Sequence, residues 1–163
     1  MRKYELTDET QAVLGQTLHR IRALRDFNDV KAGDLGGWVA GPDNLSQHGN
    51  CWAYDNSRMS GDSRMFGNSR MFDNSSMSGN SRMYGNSRMF GNSRMFDNSS
   101  MSDNSSMRDD SRMLGNSRML GNSRMLGNSR MLGNSRMFDN SSMHDNSRMF
   151  GNSSMRDNSI MHD

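Results

Sequence analysis

An all-β solenoid, a chain wound into a three-sided prism of short parallel strands, is the fold this sequence predicts, and three observations predict it. Every methionine except Met1 stands on a lattice of spacing six, from Met59, Met65 and Met71 to Met155 and Met161, eighteen in all. A serine stands two residues before each of them, from Ser57 to Ser159, and a Gly or Asp four before, followed almost always by Asn. Finally, a six-residue period matches neither an α-helix nor a coiled coil.

Each word therefore reads (G or D)-N-S-(R or S)-M-x. Its last four residues make a strand of alternating faces, with Ser and Met on one side and Arg and x on the other. Gly or Asp followed by Asn makes the corner, because these residues tolerate positive φ and bond their own backbone. Three words close a coil of 18 residues, and the array holds about six coils, roughly 29 Å of prism at a strand spacing near 4.8 Å. A flatter coil of two words is the alternative, and under it columns would stack every twelfth residue.

Residues 1–48 read as an N-terminal cap and residues 49–163 as the array. Within the cap, "KYEL" and "TLHRIRAL" alternate like strands, "FNDVKAGDLGGW" is turn-rich, and "GPDN" breaks before the repeats. The glycines of "GDLGGW" fit no nucleotide-binding spacing and read as a tight turn. A cap is needed because the first coil would otherwise expose a sheet edge.

Composition alone leans the other way. Apolar residues are only 32% and proline occurs once, a balance typical of chains too polar to fold. The lattice reverses that inference by placing Met59, Met65, Met71, Met77, Met83, Met89, Met95, Met101, Met107, Met113, Met119, Met125, Met131, Met137, Met143, Met149 and Met155 in one interior. Thioethers also suit Cu(I), but sulfurs dispersed evenly along an axis make a core rather than a site.

The repeat resembles the hexapeptide repeat of left-handed parallel β-helices, with Met in place of the usual Val or Ile and Ser in place of the usual Ala. "RALRDFNDVKAGDLGGWVAGPDNLSQHGNCWAYDN" resembles the cap of an enterobacterial and prophage family of uncharacterised hexapeptide proteins described as acetyltransferases. The left hand of the coil, and an acyltransferase function using acetyl-CoA, are what this resemblance implies. Family acyltransferases place a catalytic histidine near an extruded loop, and here residues 55–163 carry no insertion. His19 and His48 fall in the cap, so no catalytic residue and no cofactor is assigned.

Stacking at 18 residues puts Arg94, Arg112, Arg130 and Arg148 in one outward column, a candidate anion site, with Arg58 starting it and Ser76 interrupting. Beside it run Phe96, Leu114, Leu132 and Phe150, an apolar ladder and a candidate interface. Leu120 and Leu126 continue Leu114 and Leu132 around the prism as a belt. His144 and His162 are stacked one coil apart, a weak candidate metal pair with Asp145 and Asp163 at the adjoining corner.

The net charge of +2 names no partner. Residues 55–163 carry 14 arginines against 11 aspartates, and those aspartates oppose a polyanion, so nucleic acid is the least favoured partner. The favoured expectation is a non-catalytic scaffold, with a phage origin in line with the resemblance. It associates with a second copy or a protein partner through the apolar ladder or, end to end, through the uncovered last coil at Met161. One cysteine, Cys51, and no apolar run at the N-terminus point to a cytoplasmic protein without a membrane segment.

Overall fold

The computed structural model describes residues 2–162, and among them strands are the only regular elements. Three longer strands open the chain: β1 (Tyr4–Val13), β2 (Gln16–Ala23) and β3 (Leu35–Val39). Nineteen two-residue strands follow among the described residues, from β4 (Trp52–Ala53) to β22 (Ile160–Met161), mostly Arg–Met or Ser–Met. The four-residue strands expected from the word contract to this pair. Even so, the ladder bonds bracket it on both sides, with Arg94 N donating to Ser111 O and Phe96 N to Met113 O, each at 3.0 Å.

From β4 to β19 (Ser142–Met143) each strand pairs in parallel with the third strand after it, as in Arg94↔Arg112 and Met95↔Met113. The coil is therefore 18 residues and three-sided, and the two-word coil is excluded. Three sheets of nine, seven and six strands form the faces. The turns number about seven rather than six. The extra coil is built from Val39, Leu45 and Ala53, which pair with Met59, Met65 and Met71. Ala53 stands eight positions after Leu45, two more than a word, so the periodicity does not reveal this coil.

The methionines fill the axis. From Met59 to Met143 their exposure is 0–1%, rising to 2% at Met149 and 8% at Met155 as the last coil opens to solvent. Each burial contributes about 1.5–3 kcal/mol, while fixing a Met rotamer costs about 1.5–2 kcal/mol. The core alone is thus a weak determinant of register. Register comes from the polar stacks. Asn86, Asn104, Asn122 and Asn140 form one side-chain ladder at a corner, with Nδ2 to Oδ1 distances of 3.0–3.2 Å.

The first corner residue sits in the left-handed region whether it is Gly or Asp. Gly115 has φ +73°, and a Cβ there would lie 2.9 Å from Gly133 O. Asp103 adopts φ 60°, and its carboxylate accepts from Gly121 N, one coil on, at 3.3 Å. That bond offsets the strain a side chain suffers in this conformation.

The cap continues one face. β1 pairs antiparallel with β2, β2 antiparallel with β3, and β3 parallel with β5 (Arg58–Met59). Gly36 and Gly37 lie inside β3 rather than in a turn. A Cβ on Gly37 would lie 2.5 Å from Ser57 O, and one on Gly36 2.6 Å from the Trp52 ring. These glycines allow close approach of neighbouring chain segments, and only Gly33, at φ +96°, serves a turn. Trp52, an outward position in the repeat, is buried beneath the cap against Phe27 and Tyr4, at centroid distances of 5.4 and 6.3 Å.

Candidate functional site

The outer faces inherit the repeat's periodicity as columns. Arg94, Arg112, Arg130 and Arg148 stand in ladder register on one face, with Arg58 and Ser76 before them. Phe96, Leu114 and Leu132 run beside them half-buried, and Phe150 ends the ladder 57% exposed. Leu120 and Leu126 lie half-buried on the other two faces, so the belt links the three columns. Met161 is partly buried against the core beside exposed Ile160.

The seven-stranded face carries most of the outward aromatic stacking. Tyr54 stacks on Phe72 at 4.6 Å, Phe72 on Phe90 at 4.8 Å, and the Arg108 guanidinium covers Phe90 at 5.2 Å. Stacking at 18 residues lays this column out in the sequence as Phe72, Phe90, Arg108, Leu126, His144 and His162, and the structure adds Tyr54 at its head. His144 and His162 stack at 4.8 Å, and His162 Nδ1 lies 3.9 Å from Asp145 Oδ2. His144 Nε2 is 3.1 Å from Ser142 Oγ. No cluster of three metal-ligating side chains occurs among the described residues, and Asp163 lies outside them.

Charge at the cap junction is organised differently. Tyr54 Oη donates to Asp29 Oδ1 at 2.8 Å, and Arg70 Nη1 lies 3.6 Å from Asp29 Oδ2. Partial burial works to raise the Asp29 carboxyl, but the bond from Tyr54 and the charge of Arg70 outweigh it and hold it below the usual carboxylate range. Burial, with the facing Asp29 carboxylate, pushes the Tyr54 phenol upward.

Beneath the cap, Lys3 Nζ donates to Cys51 O at 2.9 Å and lies 3.3 Å from Cys51 Sγ. Burial lowers the ammonium and raises the thiol, a combination that favours neutral forms and an unreactive cysteine. His19 lies on β2 and His48 between β3 and β4. The His48 backbone contacts Ser46 and Cys51, its N donating to Ser46 Oγ at 3.1 Å and its O lying 3.9 Å from Cys51 Sγ.

Among the described residues no helix is long and apolar enough to cross a membrane. No family model matches the chain. The chain is similar to the uncharacterized acetyltransferase YdcK of Escherichia coli (strain K12), 43% identical over 68 residues, a stretch covering 37% of this chain and 21% of that protein. The matched part is thus about a fifth of the relative's length. The chain is thus an all-β solenoid of six-residue words, similar over part of its length to a protein described as an uncharacterized acetyltransferase.

Proposed function

We propose that the chain is a non-catalytic scaffold that binds protein through its outer faces, a second copy of itself being the first partner. The observation that carries this reading is the regularity of the array: between β5 and β22 a strand follows every six residues with no inserted loop. Such a prism has no extruded loop between those strands to wall a deep cleft, whereas it offers long continuous columns. The Phe96–Leu114–Leu132–Phe150 ladder is the contact surface favoured by its continuity. The backbone edge of the coil holding Met149, Met155 and Met161 is the competing one. A prophage origin accords with the resemblance of the cap.

Sedimentation equilibrium at tens of micromolar tests the proposal. A dimer or larger species is expected, and Phe150→Asp with Leu132→Asp is expected to return it to a monomer if the ladder is the contact. An intact species in that variant transfers the contact to the terminal edge. A strictly monomeric wild-type chain would sink self-association altogether.

Acyl transfer is the second reading, favoured by the description of the Escherichia coli relative. Calorimetric titration with acetyl-CoA examines it. Saturable heat that is lost on His48→Ala would move the function to the cap, and no heat would retire the idea.

A further inference from the structure

We propose that the recess over Ser106 on the seven-stranded face binds a phosphate dianion, as the free ion or as a phosphomonoester. Along this face the fourth position of the word reads Arg70, Arg88, Ser106, Arg124, Ser142. Where arginines follow one another, they stand a single ladder step, about 4.8 Å, apart. Ser106 opens that space, because Arg88 and Arg124 pair with it from either side and so stand two steps, about 9.6 Å, apart. The result is a cavity of ≈ 410 Å³, far more than the roughly 30 Å³ share of a water molecule.

A third guanidinium completes the recess. Arg108, two residues after Ser106, occupies an x position that elsewhere on this face is aromatic, aliphatic or histidine. Its guanidinium lies over the Phe90 ring at 5.2 Å from the centroid. The Ser142 recess, ≈ 260 Å³, has His144 in the corresponding place. Arg88, Arg108 and Arg124 have no carboxylate within 4.0 Å among the described residues.

The carboxylates at the adjoining corners each accept a hydrogen bond, Asp103 Oδ2 from Gly121 N at 3.3 Å, Asp109 Oδ2 from Gly127 N at 3.3 Å and Asp110 Oδ1 from Asn92 Nδ2 at 3.1 Å. Three forks of N–H donors around a serine hydroxyl suit the oxygens of a tetrahedral dianion. Phe90 is already covered on its two faces by Phe72 and Arg108. It offers no platform for a base, so a phosphate head group, rather than single-stranded nucleic acid, is the ligand that fits.

The inference is independent of the scaffold reading. Titrations with inorganic phosphate and with phosphoserine, by calorimetry at low ionic strength, test it on the full chain. The second ligand reports whether an attached group is accommodated. Three variants separate a built recess from general positive charge: Arg108→Ser, Ser106→Arg, and Arg136→Ser on another face. Arg is the residue at Ser106's position in most words, so Ser106→Arg keeps the fold while filling the recess and adding a charge.

Saturable binding is expected, weakened at least about tenfold by Arg108→Ser, abolished by Ser106→Arg and unchanged by Arg136→Ser. No saturable binding of either ligand by the wild type overturns the proposal. So does tighter binding by Ser106→Arg, or an equal loss in Arg136→Ser.

Discussion

Methionine occupies a position where most solenoids of this kind hold a β-branched residue, and the consequence is local tolerance. Met113 is fully buried, yet its unbranched thioether conforms to whatever shape its neighbours leave. Met113→Leu is expected to cost less than about 1.5 kcal/mol, and Met113→Ala about 2–5 kcal/mol; urea denaturation of the two variants measures the difference. The inward serines divide into two groups. Ser117 Oγ donates to Leu114 O at 2.7 Å, whereas Ser99 Oγ is buried without a partner. Ser117→Ala should therefore lose about 0.5–1.5 kcal/mol while Ser99→Ala is neutral or stabilising, and equal losses at both would contradict that assignment. The spacing in the sequence makes both residue types inward-facing, but which hydroxyls find a carbonyl depends on corner geometry that repeats with small differences.

A single word is one strand and one corner, and the corner is the more demanding half. Asp103 tolerates φ 60° because its carboxylate reaches the next coil's Gly121 N. Asp103→Ala keeps the strain and loses the bond, whereas Asp103→Gly loses the bond and relieves the strain. The alanine variant should be the less stable by about 1 kcal/mol, read from thermal unfolding, and an inverted order would show that the corner is not strained. Corner chemistry is legible in the Gly/Asp–Asn alternation. The role of Gly36 and Gly37 is not, because close approach by Ser57 and Trp52 across the cap junction leaves no pattern in the sequence around them.

Across the whole molecule the coils form a one-dimensional stack in which each touches only its neighbours. Deleting residues 115–132 removes one complete coil and rejoins Leu114 to Gly133 with every column preserved. That variant is expected to fold, with a denaturant m-value lower in proportion to the surface lost, and to keep whatever association the ladder supports. Deleting residues 115–120 instead keeps strand and corner but rotates all later words by one face. It places Phe138 and Arg156 after Leu114 in the ladder's column, so folding should persist while association weakens; light scattering with circular dichroism distinguishes the two.

The sequence by itself determined the repeat unit, the inward and outward faces and the all-β solenoid class, because each follows from a period of six and the alternation of a strand. Only the tertiary structure decided that three words close a coil, that Val39 and Leu45 begin the prism, and that Ser106 opens a recess between Arg88 and Arg124. Those features depend on which residues meet across 18 positions or across the cap, contacts that a local period leaves undetermined.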